Sequence, residues 1–292
     1  MHRTLSHSQQ MQELIRANTQ SMIDAFRLDT IPLAQPLLQA FFRSQARQIS
    51  DTVLGYNASV SHLGLSDGSR WLLDHFSTHV QAHNSDVTPH DGGLLVLANH
   101  PGMTDAMAIF ATLSRSDIKI VARPNPILSV LSSINPHLIF VSDNPSGRIG
   151  TFRQIRDHLR RGGTVLMFPA GQIEPDPALH THATATLPIW SESIRLLAKQ
   201  LPELQVMPVA VGGVISRQAR RHPIARLYHT QARQDWVAAT LMIMHQPYRH
   251  VTVNIHYGDI IYANDMIMGQ VQDAMLYLYQ QIWHDANLRQ AY

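Results

Sequence analysis

Two hydrophobic rhythms run along this chain, and one gives way to the other near residue 94. Before that point apolar residues recur at helical spacing. Met11, Leu14, Ile15, Met22, Ile23 and Phe26 mark a helix from about Ser8 to Leu28. After Ile31-Pro32, a second helical stretch carries Leu37, Leu38, Phe41, Phe42, Ile49 and Val53. The segment from Gly55 to Gly68 is small and polar and reads as a loop, and Trp71, Leu72, His75, Phe76 and Val80 suggest a further helix. Beyond it the runs become short and continuously apolar. Leu94-Leu95-Val96-Leu97 suits a strand buried on both faces, and similar runs recur at Ile118–Val121, Leu138–Val141, Thr164–Phe168, Val206–Val211 and Val251–Ile255. Helical patterns separate them at Asp105–Leu113, Ile149–Leu159 and Ile189–Leu201, and Met266–His284 reads as a closing helix.

Strands alternating with helices predict an α/β fold: a mostly parallel or mixed central sheet flanked by helices, with an N-terminal helical region. The simplest division is a helical region over residues 1–60 and a catalytic α/β domain over 61–292. Reactive groups in such sheets collect beyond the carboxyl ends of the strands.

Composition narrows the chemistry. The chain has 292 residues, 45% apolar and 15% charged, with a net charge of +2, which is globular rather than disordered. No dense Lys/Arg stripe interleaved with aromatics is present, so nucleic acid is not an expected partner. There is no cysteine, which excludes disulfides, thiol nucleophiles and Cys-ligated zinc. Met1-His2-Arg3-Thr4-Leu5 opens a polar stretch without the apolar core of a secretory signal, and no run of about 18 apolar residues predicts a membrane span. His180 and His182 stand two apart, but no third ligand is placed beside them, so neither a metal nor any other cofactor is expected.

The strongest chemical signal is Ala98-Asn99-His100-Pro101-Gly102-Met103-Thr104-Asp105, which begins where the first buried strand ends. Pro101 and Gly102 force a turn, and a helix is predicted to start near Thr104. A turn of that length can fold the Asp105 carboxylate back onto the His100 imidazole. A carboxylate on one ring nitrogen fixes the tautomer and frees the other to take a proton. Read alone, the segment also fits a turn followed by an aspartate helix cap. A second buried strand runs into Phe168-Pro169-Ala170-Gly171, where backbone could approach a ligand closely and stabilise an oxyanion. A third, Val206-Met207-Pro208-Val209-Ala210-Val211, leads to Gly212-Gly213.

In this order and at these separations the three blocks resemble the glycerolipid and lysophospholipid acyltransferase superfamily. Asn99, His100 and Asp105 match its Asn-His-x4-Asp block. Phe168, Pro169 and Gly171 match its Phe-Pro-Glu-Gly turn, and Met207-Pro208-Val209 matches its Val-Pro-Val strand. The likeness spans roughly Leu94 to Val214. The chain departs from the family at Ala170, which replaces the glutamate, and at Gln172-Ile173, which replace Thr-Arg. Ser142-Asp143 stand where the family carries a phosphate-binding arginine. Phe-Pro-Ala-Gly is similar to the hemolysin-like or ornithine-lipid branch.

The resemblance implies transfer of a fatty acyl group from acyl-CoA or acyl carrier protein to a lysophospholipid, glycerol phosphate or other lipid-like acceptor, without metal. His100 is the implied general base and Asp105 its partner; Asn99, Phe168, Pro169, Ala170 and Gly171 would line the substrate site. Arg123 stands where many relatives have a lysine after the second strand. Arg148 lies near a predicted helix start and could hold an anion. Amphiphilic substrates imply a protein peripheral to the inner face of the membrane and otherwise cytoplasmic, with Leu37, Leu38, Phe41 and Phe42 beside Arg43 and Arg47 as the candidate contact. A non-catalytic lipid-binding protein of the same fold and a thioester hydrolase using the same dyad remain open alternatives.

Overall fold

A computed structural model describes residues 6–30 and 35–288. The polar opening Met1–Leu5 and the Ile31-Pro32 break lie outside the described residues. Two helices come first, α1 (His7–Ala25) and α2 (Gln35–His75), then strands β1 (Thr78–His83) and β2 (Leu94–Ala98). Next are α3 (Asp105–Thr112), β3 (Ile118–Ala122), α4 (Pro126–Val130), β4 (Leu138–Phe140), α5 (Pro145–Arg160) and β5 (Thr164–Met167). The chain continues through α6 (Ser193–Gln200), β6 (Gln205–Gly212), α7 (Arg217–Arg221), α8 (Pro223–Arg226), α9 (Gln231–Met244), β7 (Val251–Tyr257), β8 (Ile261–Tyr262) and α10 (Ile267–Leu288).

These elements form two compact units. One comprises the described residues up to Thr78 with Pro124–Asn135 and Ile215–Val251; the other comprises His79–Arg123, Pro136–Val214 and the described residues from Thr252 onward.

The first unit is helical. α1 opens with a reciprocal cap between Ser6 and Gln9, which satisfies two otherwise orphaned backbone donors. Its apolar face meets α2: Met22 and Ile23 form one cluster with Phe42 and Ile49, and Phe26 stacks on Phe42 with ring centroids 5.8 Å apart. The Gly55–Gly68 segment is not the expected loop. It belongs to α2, which breaks only at Gly64, where φ is 84°. Its small residues are there for packing. A Cβ on Gly68 would stand 2.5 Å from a Val60 methyl, and one on Gly55 would stand 2.4 Å from the Trp71 ring. Glycine at both positions lets the two arms of α2 close on each other as a helical hairpin. The expected Trp71–Val80 helix also ends early, at His75; Ser77 takes φ 50° and the chain enters β1.

The second unit holds the sheet, in the order β1-β7-β6-β2-β5-β3-β4, with β8 also pairing with β6. β2, β3, β4, β5 and β6 run parallel, and β7 and β8 pair antiparallel with β6. The mixed sheet, its flanking helices and the N-terminal helical region match the expected α/β class. β2 lies between β5 and β6, and all five of its residues are buried, as its unbroken apolar run requires. Leu95, Leu97, Val165, Met167, Val206 and Ala210 pack beneath Ile194 and Leu197 of α6 and Val271, Met275 and Ile282 of α10. Burying each such aliphatic side chain contributes roughly 1.5–3 kcal/mol. That packing fixes the register in which Leu97 stands opposite both Met167 and Pro208. The three motif-bearing strands are therefore neighbours, and their carboxyl ends open side by side.

Candidate active site

Asn99 begins the site by extending the sheet with its side chain. Its amide donates to the Val211 carbonyl and accepts from the Val211 N–H, both at 2.8 Å. A residue of this shape imitates a backbone pair, so β2 ends pinned to β6 while the backbone turns away. Asn99 is fully buried, and its amide is spent on this brace.

His100 and Asp105 meet as the spacing predicts. His100 Nδ1 lies 2.8 Å from Asp105 Oδ2. The same oxygen accepts from the Gly102 N–H at 3.0 Å, and Oδ1 accepts from Ala106 N–H at 2.6 Å. The carboxylate side chain is 1% exposed and the imidazole 29% exposed. A buried carboxylate with these donors stays oriented, and the imidazole keeps its Nε2 edge for solvent or substrate. Phe168 stacks on the other side of the ring, centroids 4.3 Å apart and planes 16° from parallel. Burial pushes the His100 pKa down, but the charge and hydrogen bond of Asp105, helped by Glu174, more than offset it and leave it raised.

Glu174 was not among the sequence candidates. It is 2% exposed. Its Oε2 accepts from the His100 N–H at 2.9 Å, its Oε1 from Trp190 Nε1 at 3.0 Å, and its own N–H donates to the His100 carbonyl at 2.8 Å. Burial raises its pKa, against the pull of those hydrogen bonds and the nearby imidazole. Asp176, fully buried, completes the brace. Its Oδ1 accepts from Gly213 N–H at 2.9 Å and its Oδ2 from Val214 N–H at 2.8 Å, holding the exit of β6. Gly213 takes φ 80° and lies against the Thr252 carbonyl, where no side chain fits. The signal for both acids is Glu174-Pro175-Asp176-Pro177: two carboxylates fenced by prolines, just after a buried strand, in a chain with few charges.

The remaining candidates spread outward. Pro169 accepts from the Ser191 N–H at 3.1 Å, and Ala170 packs against the core. Gly171 takes φ 64°, but its N–H donates to the Phe168 carbonyl at 3.0 Å; that donor is spent within the turn and is not free for an oxyanion. Arg123 follows β3. The register sets Ile120 opposite Leu166 and Leu166 opposite Val96. Arg123 thus leaves the sheet level with Pro169 and Asn99, about 10 Å from Asn99 across two strand spacings. It is exposed. Arg148 lies in the first turn of α5, exposed, and donates to the Asp143 carbonyl at 3.0 Å. His180 and His182 rings stand 5.5 Å apart.

A buried carboxylate behind a partly open imidazole, at the convergence of three parallel strands, has the geometry that proton transfer requires. Residues 79–212 match the family described as Acyltransferase. That span begins within β1 and ends with β6, so it contains every site residue above except the Gly213-Val214 anchor. Among solved structures, the 1-acyl-sn-glycerophosphate (LPA) acyltransferase PlsC from Thermotoga maritima is similar, with a TM-score of 0.45 and 12% identity, over 79% of this chain and 94% of that chain. No curated protein matches the sequence significantly.

Proposed function

We propose that this protein transfers a fatty acyl group from an acyl-CoA or acyl carrier protein thioester to a hydroxyl of a lipid-like acceptor. The single observation that carries the reading is the His100 Nδ1–Asp105 Oδ2 bond at 2.8 Å, with the carboxylate buried and the imidazole open. His100 Nε2 takes the acceptor proton as the oxygen attacks the thioester carbonyl. The tetrahedral intermediate collapses with cleavage of the C–S bond, and the imidazolium returns the proton to the leaving thiolate. The match over residues 79–212 supports acyl transfer as the chemistry. Met103 and Ile173, both largely exposed, flank His100 and Glu174 in sequence and suit an apolar chain at the mouth.

The acceptor is read from the cations. Arg148 is engaged by the Asp143 backbone, and the Asp143 carboxylate beside it repels phosphate. Arg123 makes no hydrogen bond or ion pair with the described residues. With Phe-Pro-Ala-Gly in the second block, the Asp143 carboxylate favours a lyso-lipid of the hemolysin-like or ornithine-lipid branch over glycerol phosphate, and Arg123 is the cation left to meet an anionic headgroup. The deciding assay measures thioester release from palmitoyl-CoA and acyl carrier protein donors, against lysophospholipids, lyso-ornithine lipid and glycerol phosphate, beside His100→Ala. Acceptor-dependent release that vanishes in the variant supports the proposal. Release without any acceptor points to a hydrolase, and release that survives in His100→Ala rejects the mechanism.

Among the described residues no helix is long and apolar enough to cross a membrane. Of the expected contact residues, Phe42 and Leu38 pack among the helices, whereas Leu37 and Phe41 stand 75% and 63% exposed one helical turn apart. With exposed Arg43 and Arg47 on the same helix, they suit the headgroup region of an anionic bilayer at the cytoplasmic face. Leu37→Asp with Phe41→Asp should lower flotation with anionic liposomes severalfold; unchanged flotation rejects this contact.

A further inference from the structure

A second cluster of titratable side chains lies outside the catalytic constellation. His83 comes from β1, His256 from β7 and Asp285 from the last turn of α10. His256 Nε2 stands 2.7 Å from Asp285 Oδ2, and His83 Nε2 stands 3.7 Å from the same oxygen. The two imidazoles lie face to face with centroids 4.3 Å apart. One donor atom from each of the three residues falls within 4.8 Å of the other two. His83 Nε2 is buried and makes no hydrogen bond, an arrangement that costs free energy unless something else meets it.

We propose that His83, His256 and Asp285 bind a divalent transition-metal ion of the zinc class. Nitrogen and oxygen donors about 2.0–2.2 Å from one ion stand roughly 3–4 Å from each other. The 3.7 Å separation is too long for a hydrogen bond and falls in that range. The 2.7 Å contact is a hydrogen bond that must widen by roughly 0.3–1.3 Å to reach that range when the ion replaces its proton. Two imidazoles and one carboxylate make a borderline donor set that selects zinc-like ions over calcium or magnesium. A water completes the shell from the side on which His83 is 42% exposed.

The ion acts as a staple. β1 is the edge strand of the sheet, and β7 is its neighbour. Asp285 follows Ile282 by one turn of α10, and Ile282 rests on Gly212, whose absent Cβ also admits Pro177. The staple therefore fastens the strand edge to the helix that packs on the end of β6 and on the segment carrying Glu174 and Asp176.

The test uses the untagged full chain, stripped with a chelator and dialysed. Calorimetric titration with Zn²⁺ should give one equivalent per chain and a raised Tm, since a ligand of the native state alone stabilises it. Co²⁺ should give the visible absorption of a four-coordinate site. Asp285→Asn and, separately, His83→Gln should each weaken Zn²⁺ at least tenfold, whereas His180→Gln with His182→Gln should not. Should one variant fail to fold, the other still decides. Absent Zn²⁺ binding, or binding that survives both substitutions or is lost with His180 and His182, overturns the proposal.

Discussion

Two histidine–aspartate pairs of nearly equal length occupy the sheet-bearing unit, and they are built inside out from each other. His100–Asp105 measures 2.8 Å and His256–Asp285 measures 2.7 Å. In the first the carboxylate is 1% exposed and the imidazole 29%; in the second the imidazole is 8% exposed and the carboxylate 21%. The first engages Nδ1 and presents Nε2 outward. The second engages Nε2, and a further imidazole covers the ring. The contact itself therefore assigns no role. The roles proposed for the two pairs turn on which partner water can reach: an oriented carboxylate behind an open ring suits a base, and a covered ring behind a more open carboxylate suits a ligand or a strut.

The sharpest challenge to that contrast is His100→Ala. Removing the base should cut acyl transfer by roughly a hundred- to ten-thousandfold. The Tm should move little, because the ring is partly exposed and Asp105 keeps its bonds to Gly102 and Ala106. Transfer within tenfold of the parent would mean that the open imidazole is not the base.

Asp105→Asn comes next. The amide cannot hold the ring in the productive tautomer, and a loss of about a hundredfold or more is expected. The pH profile carries a second readout. His100 is a base only when neutral, and its pKa is raised above the ordinary value of about 6.5. Transfer in the parent should therefore fall as pH drops through a pKa above 6.5, and Asp105→Asn should move that limb to lower pH. Stability runs the other way. A raised imidazole pKa stabilises the fold fully below about 6.5, and that contribution is lost as pH rises through the folded-state value. A limb that does not move in Asp105→Asn would assign it to another group.

Much of this was legible in the sequence, for a physical reason. β2, β5 and β6 are buried on both faces, so they read as continuous apolar runs, and His100 and Asp105 sit in one eight-residue segment where a turn alone can join them. β1 escaped because Thr78-His79-Val80-Gln81-Ala82-His83 is a polar edge strand with one face in water. The second arm of α2 escaped because glycines that admit a tryptophan ring or a valine methyl look like loop glycines. Glu174 escaped because its partners are backbone groups of His100 and the indole of Trp190, which the fold alone brings to it and which leave no trace in spacing. The cluster of His83, His256 and Asp285 is assembled only by the sheet order, which places β1 beside β7.

Glu174→Gln should have a smaller effect, about tenfold on transfer, as expected of a positioning residue. His100 N–H and Trp190 Nε1 both donate to this carboxylate, one to each oxygen. An amide offers one of them an NH₂ instead of an acceptor, which costs about 1–3 kcal/mol. It also removes a negative charge that helps to raise the His100 pKa. The acid limb should shift down, less than in Asp105→Asn. A loss of Tm with no shift of the limb would make Glu174 a purely structural brace.

The least effect on chemistry belongs to Asp285→Asn, and it closes the comparison. In chelator-treated protein the substitution replaces the carboxylate that accepts from a largely buried imidazole with a neutral amide oxygen, so the charge assistance of that bond is lost, at a cost of about 1 kcal/mol of stability. Acyl transfer should drop less than about threefold, because Asp285 reaches the catalytic segment only through the packing of α10. Scored side by side at one pH, Asp105→Asn should be chiefly a kinetic lesion and Asp285→Asn chiefly a thermal one. If Asp285→Asn cost transfer as heavily as Asp105→Asn, exposure would no longer separate the two pairs. The His256 pair would then have to act in the chemistry through α10 and the Glu174 segment rather than beside it.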